Sequence, residues 1–386
     1  MSATAPLGGA PAEAVDVRPQ ALGRRLATAS DWSVVCGWFV LTRLVVAVSA
    51  VAGAAHFRPG NYFQSLGGPP APAALVPFVR WDSYFYIDIA RNGYWAKGSA
   101  PVFSAAFFPL YPLAVRALDL VVHETVVASM LLSNACALGA SLLLCRLSRL
   151  TTLGDGRLAA LLFLASPGAG FLSFPYSESL FCLLLAGGLL AAVQDRPWVA
   201  AGCGALASAT RPTGLVLAVA LIARAVERRR IGRPIAAYLV AAAACGAGLI
   251  AFGALCQARY GDALYFSHVQ AEWGRHVSLL GPVRALFEFA FDPDYYLVTL
   301  AALAAAVWLV YRDVRTVLTW PAWALLLVPL STGSLKSMIR FQGANIPLIA
   351  GVAPRLPGRR MVWVLGLSVC LLAYETYEYA AGAGHN

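Results

Sequence analysis

Two aspartates, Asp82 and Asp88, stand in the run Arg80-Trp81-Asp82-Ser83-Tyr84-Phe85-Tyr86-Ile87-Asp88-Ile89-Ala90-Arg91-Asn92-Gly93-Tyr94, embedded among aromatic and apolar side chains. A carboxylate held beside a membrane can accept the proton of a hydroxyl, which is general-base chemistry on a lipid-borne substrate. Further along, Tyr176 and Glu178 lie in Phe174-Pro175-Tyr176-Ser177-Glu178, and Arg211 precedes Pro212. Lys336 and Arg340 share the run Ser334-Leu335-Lys336-Ser337-Met338-Ile339-Arg340. Guanidinium groups at the edges of apolar runs can grip phosphate oxygens through two parallel hydrogen bonds. The set therefore holds a base, a second carboxylate and anion-binding cations.

Each of these residues also has a plainer role. Asp82 is well placed to cap a short helix from Ser83 to Asn92, with Gly93 as its stop. Asp88 lies one helical turn from Arg91 and Asn92 and can pair with either. Glu178 opens an apolar helix, where a carboxylate complements the helix dipole. Arginines at span ends can reach outward to headgroups, and aromatic belts anchor a protein at the membrane interface. For Asp82 the two roles are compatible, because a capping residue at the surface can also meet substrate.

The elements that position these groups follow from composition. Of 386 residues, 59% are hydrophobic and only 12% charged, which is too apolar for one soluble core and predicts an all-α polytopic membrane protein. Its net charge of +10 comes almost wholly from arginines clustered between apolar runs, the pattern of membrane topology rather than of nucleic-acid binding. The eight cysteines show no metal-ligand or redox spacing and sit in apolar runs, as small buried hydrophobes do. Residues 1–30, rich in Ala, Pro and Gly, are expected to form a disordered cytoplasmic tail, and residues 31–386 one membrane domain.

With that tail inside, placing the arginine clusters on the cytoplasmic side gives about eleven spans, within a range of nine to thirteen, and an outside C-terminus. A long first outer loop, about 56–124, carries Asp82 on juxtamembrane helices, and a second, about 258–293, carries His268, Glu272, Arg275 and His276. The segment 198–226 reads best as two short helices broken at Arg211-Pro212, since one helix would carry Arg228-Arg229-Arg230 to the outside. Half-helices of that length must pack inside protein or line a wet cavity. No Walker loop, Rossmann fingerprint, HExxH or paired-aspartate motif occurs in a fitting context, so an activated group has to arrive on a lipid.

Five motifs occur in order: RWDSYFYIDIARNGY, AAFFPLYPLAVR, FPYSESLF, ATRPTGLVLA and SLKSMIRF. Over about residues 34–350 the chain resembles, through them, the PIG-V type of mannosyltransferase among the GT-C membrane glycosyltransferases, and its arginine- and alanine-rich composition is that of a bacterial member. The resemblance implies a GT-C fold and mannose transfer, with inversion, from a polyprenyl-phosphate-mannose donor to an extracytoplasmic glycolipid or glycan hydroxyl at the plasma (inner) membrane. It implies neither a metal nor another cofactor. Asp82 matches the family's essential first-loop aspartate and is expected to be the general base. Arg211, Arg340 and Lys336 are expected to hold the donor phosphate, and Arg80, Trp81, Asp88, Tyr176, Glu178 and His268 to assist sugar or acceptor binding. Two other functions fit the same pattern. One is transport or flipping of a lipid-linked sugar, since transporters also use broken helices. The other is a catalytically silent scaffold for other membrane enzymes.

Overall fold

A computed structural model of the protein describes residues 29–56, 71–94, 102–152, 154–287, 293–313, 317–356 and 358–382. The tail expected over residues 1–30 lies outside them as far as residue 28. Among the described residues every regular element is helical. In chain order the α-helices are α1 Ala29–Ala54, α2 Ser83–Asn92, α3 Leu110–Val122, α4 Thr125–Thr152, α5 Gly156–Ala165, α6 Glu178–Val193, α7 Pro197–Thr210, α8 Val216–Arg230 and α9 Ala236–Ala244. They continue with α10 Ala247–Tyr260, α11 Tyr265–His268, α12 Gly281–Phe287, α13 Pro293–Asp313, α14 Thr319–Leu330, α15 Met338–Gly343, α16 Ile346–Val352 and α17 Gly358–Ala381.

Five helical stretches are long and apolar enough to cross a membrane: Asp31–Ala54, Thr125–Thr152, Ala236–Tyr260, Pro293–Arg312 and Gly358–Ala381. Other apolar helices, among them Gly156–Ala165 and Thr319–Leu330, fall short of the roughly 20 residues that one crossing needs. They rely on protein around them to satisfy their ends.

Of four buried clusters among the described residues, two carry most of the interior. The larger joins α1, α4–α9 and α17 around Leu144, Phe163, Leu185, Leu217 and Leu372. The smaller joins α13, α14 and α15 around Ala306, Leu326, Leu330 and Met338. They meet where the 3₁₀ turn Pro167–Leu172 touches α15. A Cβ on Gly168 would stand 2.6 Å from the Ile339 carbonyl oxygen and 3.0 Å from the Arg340 Cα, so only glycine lets the two backbones come this close.

The segment expected as the first outer loop is largely helical in its described part. The 3₁₀ turn Ala73–Phe78, α2, the turn Val102–Ala106 and α3 lie between the first two spans. Helix α2 runs from Ser83 to Asn92 and stops at Gly93, as its sequence predicts. The break expected at Arg211-Pro212 is present too: α7 ends at Thr210, Arg211 is extended, and a short 3₁₀ turn at Pro212–Leu215 leads into α8.

Candidate active site

A cavity of about 900 Å³ opens between the two buried clusters. Asp82, Arg211, Arg275, Lys336 and Arg340 supply its charges, and Trp81, Phe85, Phe107, Trp273 and Phe341 much of its apolar wall. Four of the five charges come from irregular backbone or helix ends, where the chain can turn a side chain inward.

Asp82 directly precedes α2, yet its side chain makes no capping hydrogen bond. The capping role read from the sequence is thus overturned. Its carboxylate Oδ2 instead accepts from Nη1 of Arg340 at 2.7 Å and stays 30% exposed, open to the cavity. Trp81, just before it, holds a left-handed backbone with φ of 51°. For a bulky residue that conformation costs about 1–3 kcal/mol and persists only where the surroundings impose it. Ser337, on the Arg340 side, is left-handed as well, with φ of 65°.

Behind this pair lies a buried charge network. Glu178, at the first turn of α6, is 2% exposed. Its Oε1 lies 3.0 Å from Arg340 Nε and also accepts from Arg211 Nη1. Asp82, Arg340, Glu178 and Arg211 thereby form one alternating chain of charge. Arg340 sits over the rings of Phe171, Tyr176 and Phe341, at 5.6, 5.3 and 5.2 Å, and Arg211 over Phe341 at 5.0 Å. These aromatic faces attract the guanidinium groups at points where water cannot solvate them.

Two cations stand apart from this chain. Arg275 donates to Gln270 Oε1 at 3.2 Å and Ser337 Oγ at 3.3 Å, and Lys336 lies near enough to Arg275 for mutual repulsion. Neither has a carboxylate within ion-pair distance among the described residues. Burial, then the neighbouring Arg340 and Arg211, lower the Arg275 guanidinium to about 10 despite the opposing pull of Asp82. Burial lowers Lys336 too, with Arg275 and Arg340 adding to the effect. Both cations thus bind protons less tightly than usual, as groups waiting for an anion do.

The structure sorts the expected site residues. Trp81, Asp82, Arg211, Lys336, Arg340 and His268 line the cavity. Glu178 lies behind it as the shared counter-ion. Tyr176 serves as a ring beneath Arg340, its hydroxyl donating to the Arg80 carbonyl at 3.2 Å. Arg80 is 3% exposed and folds back on backbone carbonyls, reaching Val76, Val79 at 3.0 Å and Ala380 at 3.3 Å. It therefore braces α2 against α17 rather than lining the cavity. Asp88 accepts from Asn92 at 2.7 Å, whereas Arg91 turns to Glu124 at 3.4 Å and Thr125 at 3.0 Å, so the Asp88–Asn92 bond forms and Arg91 serves α4 instead. His268 stands at the exposed rim, 2.7 Å from Asp262.

Arg275 and Trp273 have no role among the sequence-derived candidates. Trp273 meets the stacked pair Phe85–Phe107 edge-on, at 6.4 and 6.2 Å, and closes the aromatic wall beside Asp82. The signal for both is Trp273-Gly274-Arg275-His276, an aromatic and basic cluster around a glycine in a polar loop. Among the described residues no three His, Cys, Asp or Glu side chains converge to hold a metal.

Comparison with known proteins bears on this geometry. The family model for mannosyltransferases of the PIG-V type matches residues 71–229, the stretch that carries Asp82, Glu178 and Arg211, so the resemblance read from the motifs holds there. The GPI alpha-1,6-mannosyltransferase 2 of Rattus norvegicus is 32% identical over 159 residues, covering 37% of this chain and 31% of the rat protein. The aligned stretch thus spans about a third of that curated relative's length. Among solved structures, ArnT from Cupriavidus metallidurans bound to undecaprenyl phosphate aligns with 90% of this chain and 76% of its own, at a TM-score of 0.50 and 15% identity. AglB, the oligosaccharyltransferase from Archaeoglobus fulgidus, solved with an inhibitory peptide and a dolichol-phosphate, aligns with 89% of this chain and 55% of its own, at a TM-score of 0.43 and 13% identity. Among the described residues the fold is all-helical and similar to that of ArnT, and its long apolar helices are those of a multi-pass membrane protein.

Proposed function

We propose that the protein transfers mannose from a polyprenyl-phosphate-mannose donor to a hydroxyl of an extracytoplasmic glycolipid or glycan, with inversion at the anomeric carbon. The observation that carries this reading is the accessible carboxylate of Asp82, which faces the same cavity as Arg211, Arg275, Lys336 and Arg340. A base beside an excess of cations suits attack by a neutral hydroxyl and departure of a phosphate. The family match supports mannose, and the undecaprenyl phosphate in the ArnT structure supports a lipid phosphate as donor carrier.

In this reaction the acceptor oxygen attacks the anomeric carbon while Asp82 accepts its proton. The bond from anomeric carbon to phosphate oxygen breaks, and the electron pair leaves with the polyprenyl phosphate. A phosphodiester with one negative charge thus becomes a monoester with a second. Cations already aimed into a partly dry cavity stabilise the added charge without rearranging. Arg340 contributes chiefly by fixing Asp82 in place, and the developing charge falls to Arg275, Lys336 and Arg211.

The arginine clusters Arg146–Arg149, Arg228–Arg230 and Arg355–Arg360 support placing the cavity on the extracytoplasmic face of the plasma (inner) membrane. The test is Asp82→Asn in membranes supplied with polyprenyl-phosphate mannose, with products identified by mass spectrometry. Transfer should fall by about 10²- to 10⁴-fold at unchanged protein abundance. Full transfer by the variant would remove Asp82 as the base. Substrate movement without a new glycosidic bond in the wild type would turn the assignment towards a flippase.

A further inference from the structure

Asp82 and Glu178 share one guanidinium, and they hold it on different sides. Asp82 accepts from Arg340 through a single bond, Nη1 to Oδ2 at 2.7 Å, and among the described residues its Oδ1 has no partner. A guanidinium left to itself beside a carboxylate favours two parallel bonds, one to each oxygen. The reason for the single bond lies at the opposite side of the arginine, where Nε stands 3.0 Å from Oε1 of Glu178. The same Oε1 accepts from Arg211, and Oε2 has no hydrogen-bond partner among the described residues. The pull of Glu178 on the two guanidinium groups is therefore not divided among other donors.

The surroundings fix both carboxylates and leave the arginine one freedom. Tyr86 of α2 and Ser177, which directly precedes Glu178, share a hydrogen bond at 2.7 Å, and the Tyr176 hydroxyl donates to the Arg80 carbonyl at 3.2 Å. These two bonds tie the start of α6 to the segment that carries Asp82. The rings of Phe171, Tyr176 and Phe341 lie 5.2 to 5.6 Å from the centre of the Arg340 guanidinium. Ring faces resist tilting of that group but permit it to turn within its own plane. Glu178 thus determines which side of Arg340 points at Asp82.

Resting on the function proposed above, we infer that Glu178 is a positioning residue for the base: by holding the Nε side of Arg340 it limits that arginine to one bond with Asp82, so that Oδ1 stays open to the acceptor hydroxyl. Without the charge of Glu178, Arg340 turns a two-nitrogen edge onto Asp82 and occupies both oxygens. The acceptor proton then has no free oxygen to reach, although the cations that face the cavity are unchanged.

The experiment measures kcat and donor KM for the full chain in nanodiscs, with polyprenyl-phosphate mannose as donor and a lipid extract from cells lacking the protein as acceptor pool. Glu178→Gln keeps the shape and removes the charge. It should lower kcat by about 10²-fold, the low end of what a positioned base contributes, with donor KM within about threefold. Glu178→Asp keeps the counter-charge that folding needs but reaches less far, and its kcat should lie between the two. Arg340→Lys supplies the test of the linkage, since an ammonium forms no fork. In that background Glu178→Gln should cost less than about threefold more. Carbodiimide labelling of Asp82, located by mass spectrometry, reads the same closure without turnover and should be largely lost in Glu178→Gln. The inference is overturned by a Glu178→Gln kcat within about threefold of wild type, or by its full penalty persisting beside Arg340→Lys. Asp82 labelled in Glu178→Gln as in the wild type overturns it too. If any of these occurs while Asp82→Asn still abolishes transfer, the positioning role falls and the reaction stands. If Asp82→Asn transfers fully, the base assignment falls and takes this inference with it.

Discussion

Arginine–carboxylate clusters occupy both ends of the helical bundle, and they are built on different terms. Helix α6 separates them: Glu178 opens it at the cavity end, and Asp195 lies just past its other end, about 24 Å away. At the Asp195 end the charges are matched in pairs and mostly part-exposed, with Asp31 alone buried. Arg149 meets Asp31 at 2.5 Å, Arg157 meets Asp155 at 2.7 Å, and Arg224 and Arg228 meet Asp195 at 3.0 and 3.2 Å. At the cavity end Glu178 and Arg340 have side chains only 2% and 9% exposed, and two further cations have no carboxylate beside them among the described residues. Matched pairs of this kind tie helix ends together. Buried chains with a surplus of one sign are costly to the fold and make sense only with a ligand of the other sign.

Removing Arg340 should break this contrast most severely. Arg340→Ala strips a counter-ion from Glu178 and frees Asp82, and breaking a buried pair in this way costs about 3–5 kcal/mol. Thermal unfolding in detergent should show a large loss of stability, and transfer should fall with it. A variant as stable as the wild type would mean that the Glu178 site is wetter than its 2% exposure implies.

A pH series separates the two kinds of cation more gently. Arg275 and Lys336 are lowered by burial, with Arg340 and Arg211 pushing Arg275 further down and Asp82 partly restoring it. A lowered cation loses its proton earlier as pH rises. Affinity for a lipid phosphate should therefore be flat near neutrality and fall as the pH approaches 10, below the range where free lysine and arginine discharge. Bound phosphate opposes the loss, so the fall should be steeper at low lipid concentration. Binding unchanged up to pH 11 would show that neither cation contributes.

The local parts of this site were legible in the sequence, and its pairings were not. Helix α2 and its stop were readable because Gly93 and the pattern before it act within a few residues. The break at Arg211-Pro212 was readable because proline restricts its neighbour and because charge forbids one long helix there. The bond from Arg340 to Asp82 joins residues 258 positions apart, so nothing near either one announces it. Capping was the reasonable local inference for Asp82, and a distant guanidinium overrode it. Arg80 misled for a related reason: it stands beside Asp82 in the motif, yet its side chain is claimed by carbonyls that include Ala380 on α17.

The smallest effect should come from the opposite end, at Asp155. Its carboxylate caps α5 by accepting from the Arg157 amide at 3.0 Å, and it also pairs with the Arg157 guanidinium. Losing the cap in Asp155→Ala should cost about 1 kcal/mol. The ion pair should add little, because Arg157 and Asp155 are 37% and 33% exposed and water screens them. Burial alone would raise the Asp155 carboxyl, but the hydrogen bonds from Arg157, with help from Arg149, hold it below the usual range. A lowered carboxylate contributes stability above its unfolded value, near 4, and loses it as pH falls through the folded one. Wild type and Asp155→Ala should accordingly differ in thermal stability at neutral pH and draw closer in acid, while transfer per folded molecule stays the same. A transfer defect as deep as that expected of Asp82→Asn would erase the distinction between the two ends, because a matched, half-exposed pair would then be doing the work assigned to the buried and unbalanced one.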